Sequence, residues 1–140
     1  MLEEPLPLVV AGAEGWGDVA IAPGGDIRFI GFVPAPDLGG LYGGAEVFCY
    51  PSEREGYGLP VLEAMVQGTP VVTSRGTATE ETADGAAVLV DPHDPADIAR
   101  GIVEAGARRE SLATDGVARA DRATWQKTAR LTADAYRELC

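Results

Sequence analysis

The sequence predicts an α/β protein of Rossmann-like build, with a mainly parallel sheet and helices on both faces. Three observations carry this. Five short β-rich apolar runs recur along the chain: PLVVAG, IRFIGFV, EVFCYP, PVVTS and AAVLVD. Glycine, proline or helical-period segments separate them, as in a sheet built with crossover helices. Each run is almost continuously apolar instead of alternating, as expected for strands covered on both sides.

The first strand, PLVVAG, leads into AGAEGWGDVAIAPGGD, where a crossover helix belongs between parallel strands. No helical stripe is visible there, so this connection is expected to be shortened. After the IRFIGFV strand, PDLGGLYGGA places Leu38, Leu41, Tyr42 and Ala45 at helical spacing, although its four glycines weaken the helix. The third strand holds Cys49 as an apolar filler. PVLEAMVQG then carries Val61, Leu62, Met65 and Val66 at helical spacing. Its Pro60 suits the first turn and Gly68 the stop.

Beyond the last two strands the texture is helical. Ala96 to Ala107 sets Ile98, Ile102, Val103 and Ala107 on one stripe, and Ser111 to Ala120 is a weaker segment. Thr124 can cap a final helix with Trp125, Leu131, Ala135, Tyr136 and Leu139. Residues 1–140 are thus expected to form one domain, with 95–140 a helical segment packing back on it.

Length and charge narrow the function. A chain of 140 residues supports one domain with a real core. Eleven basic against 22 acidic residues give a net charge of −11, which argues against an electrostatic grip on nucleic acid or anionic lipid. No run approaches the ~18 apolar residues of a membrane span, and the acidic start MLEEPLPLVVAG does not resemble a signal peptide. A cytoplasmic setting is expected. The lone His93 lies in DPHDP, a polar turn without a second ligand at metal spacing, so no metal site is expected. Gly12, Gly15 and Gly17 have the wrong order for a dinucleotide fingerprint.

The chemistry concentrates in PSEREGYGLPVLEAM, residues 51–65, where seven residues separate Glu55 from Glu63. The turn follows a parallel strand and enters a helix, the place where open α/β sheets collect ligands. Amides around Tyr57, Gly58 and Leu59 would be free donors at the positive end of the helix dipole. Gly56 and Gly58 let backbone approach an anionic group such as a phosphate. Glu63, one turn into the helix, can accept from two neighbouring hydroxyls as acids do with ribose, while Glu55 faces another part of the same ligand. Spacing alone equally allows Glu63 as a dipole partner and Glu55 as an exposed loop acid. A glycoside-hydrolase acid pair is disfavoured, because no aromatic-lined cleft is visible and the helix dipole keeps Glu63 ionised.

The stretch PSEREGYGLPVLEAMVQGTPVVTS resembles the donor-site signature of the retaining GT-B glycosyltransferases called group 1. That pattern is met by Pro51, Ser52, Glu55, Gly56, Tyr57, Gly58, Leu59, Pro60, Glu63, Ala64, Gly68 and Pro70. IRFIGFVP, LYGGAEVFCYPS and TEETADGAAVLVDPHDPADIARGI extend the resemblance over nearly the whole chain. It implies one half of a GT-B architecture and transfer of a hexosyl group, with retention, from a nucleotide-diphosphate sugar. That UDP- or GDP-linked sugar is a co-substrate, and no cofactor or obligatory metal is implied. Glu55 would be the catalytic-site acid on the donor hexose, and the amides of Gly56, Tyr57, Gly58 and Leu59 would hold sugar and phosphate. Glu63 would hold the ribose, and Phe32 would neighbour the base.

The chain departs from the family pattern at its start. The acceptor domain and the first donor-domain unit, with its arginine and lysine, have no counterpart, and Arg28, Arg54 and Arg75 match neither basic residue. The expectation is a chain truncated at its N-terminal side and weak or inactive alone. It would need an acceptor domain in cis or from another chain, and the alternative is a non-catalytic fragment that complements a partner.

Overall fold

Every strand pairing among the described residues is parallel. The computed structural model describes residues 6–12 and 25–139, which divide into a unit ending at Leu38 and a unit beginning at Gly39. The segment 13–24, which includes Gly15, Gly17 and most of the expected short connection, lies outside the described residues.

In the first unit, β1 (Leu8–Ala11) pairs with β2 (Ile27–Gly31). Leu8 lies opposite Ile27 and Val10 opposite Phe29, with a register shift before Ala11. Leu8, Val9, Phe29 and Ile30 are all exposed. The continuous apolar runs therefore do not signal double coverage within this unit.

The second unit holds a three-stranded sheet in the order β3 (Phe48–Tyr50), β4 (Val71–Ser74), β5 (Val88–Val90). Central β4 is buried along its whole length. Successive side chains alternate between faces. Val72 faces α4 (Pro95–Ala107), where a Cβ on Gly101 would stand 3.2 Å from its Cγ1 and only 2.5 Å from Val90 Cγ1. On the opposite face Thr73 meets Thr79 of α3 (Ala78–Ala83), so helices cover this strand on both sides. Val72, Val88, Val90, Ala105 and Leu112 form the core, with Cys49, Ile98 and Ile102 at its margin. Each buried valine contributes about 1.5–3 kcal/mol relative to exposure.

The helices follow local chemistry. α1 (Ala35–Gly43) begins before the stripe read at Leu38 and buries Tyr42. α2 (Leu59–Val66) has its proline in the first turn and ends at Gln67, followed by Gly68 in the left-handed region at φ 72. Its buried face is Val61, Ala64 and Met65. Val66 is exposed, so the face is turned toward Ala64 from the expected one. α3 was not evident from the sequence, because ATEETA is short and has no apolar stripe; it nevertheless buries Thr79, Thr82 and Ala83. Asp94 caps α4 by accepting from the Ala96 amide at 2.9 Å. α5 (Arg109–Asp121) buries Leu112 and Gly116 and lies along α2. α6 (Trp125–Leu139) starts at its expected cap, Thr124 Oγ1 accepting from the Lys127 amide at 3.2 Å. It buries none of its residues, and Trp125 and Leu139 are 75% and 85% exposed.

Candidate functional site

The loop from Pro51 to Gly58 joins the carboxyl end of β3 to the start of α2. Two hydrogen bonds turn the chain out of the strand: Ser52 N–H donates to the Tyr50 carbonyl at 3.0 Å, and Ser52 Oγ donates to the Arg54 carbonyl at 3.1 Å. Glu55 is half-buried and accepts a hydrogen bond from Tyr50 Oη. Gly56 has open space where a Cβ would stand.

Gly58 is the tight point. It caps α2 at φ 88 and ψ 46, a conformation glycine adopts without the steric cost borne by other residues. A Cβ there would lie 2.8 Å from Thr79 Cγ2. The backbone just before it is tied down as well, since Thr82 Oγ1 donates to the Tyr57 carbonyl. Among the described residues, no backbone or side-chain acceptor takes the amides of Tyr57, Gly58 or Leu59. These amides stand at the start of an eight-residue helix, where the dipole favours negative charge.

Glu63 stands one turn into α2 and is exposed, its Oε2 accepting from Tyr42 Oη at 3.1 Å. Burial, followed by the Glu63 charge and hydrogen bond, pushes the Tyr42 phenol up to about 12. Burial and then the Glu55 hydrogen bond and charge push Tyr50 up to about 12. Both phenols therefore remain protonated donors at neutral pH.

The structure thus brings Glu55, Gly56, Tyr57, Gly58, Leu59 and Glu63 to one strand-to-helix junction. Phe32 follows β2 in the first unit and is 83% exposed. Sequence reading did not anticipate Tyr42, Tyr50, Thr79 and Thr82 as the groups that hold the junction. The one available signal was a hydroxyl-bearing residue in an otherwise apolar run, such as Tyr50 at the end of EVFCY.

The basic residues singled out earlier have local partners or are exposed. Arg28 Nε donates to Asp26 at 2.9 Å on the surface, which draws the Asp26 carboxyl below its usual range. Arg54 is exposed. Arg75 donates to the Leu89 carbonyl at 2.9 Å and lines a shallow cleft of about 310 Å³ with Glu53, Thr77, Asp91, Pro92 and His93. His93 Nδ1 lies 3.6 Å from Glu53 Oε1, both exposed. Among the described residues no group of three or more His, Cys, Asp or Glu could hold a metal ion. No described helix is long and apolar enough to cross a membrane.

Comparison with known proteins places the chain in a family. Residues 2–107 match the family described as glycosyl transferases group 1. O-antigen chain mannosyltransferase B of Escherichia coli is 37% identical over 95% of this chain, which corresponds to 38% of that protein. A D-inositol 3-phosphate glycosyltransferase from Nocardioides sp. is 38% identical over 97% of this chain and 31% of its own length. The solved structure of sucrose-phosphate synthase from Thermosynechococcus elongatus superposes with a TM-score of 0.70 at 29% identity, covering 81% of this chain and 30% of that one. The chain spans about a third of the length of these relatives, 38% and 31% for the two enzymes compared by sequence. With a match over most of its residues and relatives well above 30% identity, this chain belongs to the group 1 glycosyltransferases.

Proposed function

We propose that this chain is the donor-binding part of a glycosyltransferase that moves a hexosyl group from a nucleoside-diphosphate sugar to an acceptor with retention of configuration. The observation that carries the reading is the junction itself: amides at a helix start with no partner among the described residues, flanked in sequence by two carboxylates on either side of a glycine-tyrosine-glycine turn. Such amides suit a diphosphate. A carboxylate offers about four acceptor sites, so each glutamate keeps capacity for sugar hydroxyls after receiving one phenol.

In this reading Glu63 takes the ribose hydroxyls and Glu55 the donor hexose, while the amides of Gly56, Tyr57, Gly58 and Leu59 take hexose and phosphate oxygens. Fixed dipoles aimed at the leaving diphosphate stabilise the charge that develops as the glycosidic bond breaks. The acceptor is held by a further domain, in cis or on another chain.

Calorimetric titration of the chain with UDP-glucose, GDP-mannose, UDP and GDP tests the proposal. Saturable binding of one nucleotide pair is expected. Glu63→Ala should abolish both members of that pair, whereas Glu55→Ala should weaken only the sugar-bearing one. Equal losses for both ligands in both variants would contradict the assigned roles.

A further inference from the structure

Glu55 and Glu63 are held by the same device, built twice. Tyr42 stands in the last turn of α1 and Tyr50 at the end of β3. Each tyrosine carbonyl accepts from a buried threonine, Thr69 at 2.7 Å for Tyr42 and Thr73 at 2.9 Å for Tyr50. Each phenol then donates to one of the two glutamates. Phe48 lies between the rings, edge-on to Tyr42 at 5.0 Å and 79° and stacked on Tyr50 at 5.7 Å and 15°. Phe48 and Tyr50 share a face of β3 because they are two residues apart, and both packing geometries are favoured ones for aromatic pairs.

We infer that Tyr42 and Tyr50 are positioning residues for Glu63 and Glu55, and that Phe48 locks the two phenols into one block that fixes the separation of the carboxylates. The roles of the glutamates toward ribose and hexose rest on the donor-site reading above. A phenol is suited to this task because it is a neutral donor: it orients a carboxylate oxygen while leaving the acid its full charge. A lysine or arginine would neutralise that charge and compete with the ligand. Thr69 and Thr73 hold the main chain beneath each ring, so the phenol positions are set from the buried side of the unit.

The variants Tyr42→Phe, Tyr50→Phe and Phe48→Leu, titrated with the same nucleotides in the same chain, separate positioning from plain packing. Tyr50→Phe should weaken the nucleotide sugar about tenfold and leave the free diphosphate within about twofold. Tyr42→Phe should weaken both ligands equally, about tenfold, because ribose is common to them. Phe48→Leu should weaken both, the sugar-bearing one more, since it loosens both glutamates. Loss of folding stability alone would not produce this split between ligands.

A second readout needs no ligand. In the alkaline absorbance titration of phenolate, two tyrosines should ionise near pH 12. Glu63→Gln should move one midpoint down and Glu55→Gln the other. If nucleotides bind and respond to Glu63→Ala, yet Tyr42→Phe and Tyr50→Phe change no affinity beyond twofold, the positioning roles fall and the donor site stands. If no nucleotide binds, the donor-site reading falls. The phenol–carboxylate device is then decided by the titration, upheld by separate shifts in the two glutamine variants and overturned if neither moves a tyrosine.

Discussion

Replacing Gly58 by alanine should destabilise the second unit far more than the same change at Gly56, two residues away. At Gly58 two costs add. A non-glycine residue held at φ 88 costs about 1–2 kcal/mol. The new methyl would also stand 2.8 Å from Thr79 Cγ2. Thr79 is fully buried, its hydroxyl 2.8 Å from those of both Thr73 and Thr77, so the overlap cannot be relieved by a free rotation and costs about 1–3 kcal/mol. The total, about 2–5 kcal/mol, is a large share of the ~5–15 kcal/mol that a domain has. At Gly56 no atom of the described residues beyond its chain neighbours lies within 4 Å of a Cβ and φ is not positive, so alanine should change stability by less than about 1 kcal/mol in either direction. Urea unfolding followed by far-ultraviolet circular dichroism measures both differences. Equal effects of the two substitutions, or a Gly58→Ala midpoint matching the parent, would refute the steric and conformational account of the turn.

Thr82→Val should cost about 1–3 kcal/mol in the same unfolding assay, because it leaves the Tyr57 carbonyl without the hydroxyl that now reaches it. Burial pushes the Cys49 thiol up to about 11. In a Cys140→Ser variant, Cys49 should therefore react with a disulfide reagent at pH 8 on the order of 100-fold more slowly in the folded chain than after denaturation. A comparable rate in both states would show the thiol to be accessible.

What the sequence revealed depended on how local the determinants are. β4 and α2 were legible because PVVTS is short and apolar and because Pro60 and Gly68 punctuate the helix between them. Residues 55–59 and Glu63 were legible because one continuous stretch carries them. Tyr42 meets Glu63 across 21 positions, and Thr82 meets the Tyr57 carbonyl across 25, so only the folded chain brings these partners together. α3 escaped notice because its burial runs through threonines and alanine instead of large apolar residues. The outward turn of Val66 had a similar origin: helical spacing alone placed Val66 with Val61 and Met65, whereas the folded helix buries Ala64 instead and sets Met65 against Gly116 of α5.

The bonds that fix the junction from beneath share one electrical property. Thr82 to Tyr57, Thr73 to Tyr50 and Thr69 to Tyr42 each join a hydroxyl to a carbonyl, with no ion at either end. Dissolved salt screens charges over about 10 Å at 0.1 M, and these pairs present it with nothing to screen. In a chain of net charge −11, ionic strength will alter how an anion approaches the turn while the frame around it keeps its shape. The effect of salt on binding is thus expected to report on the approach and seating of the ligand, separately from the form of the site.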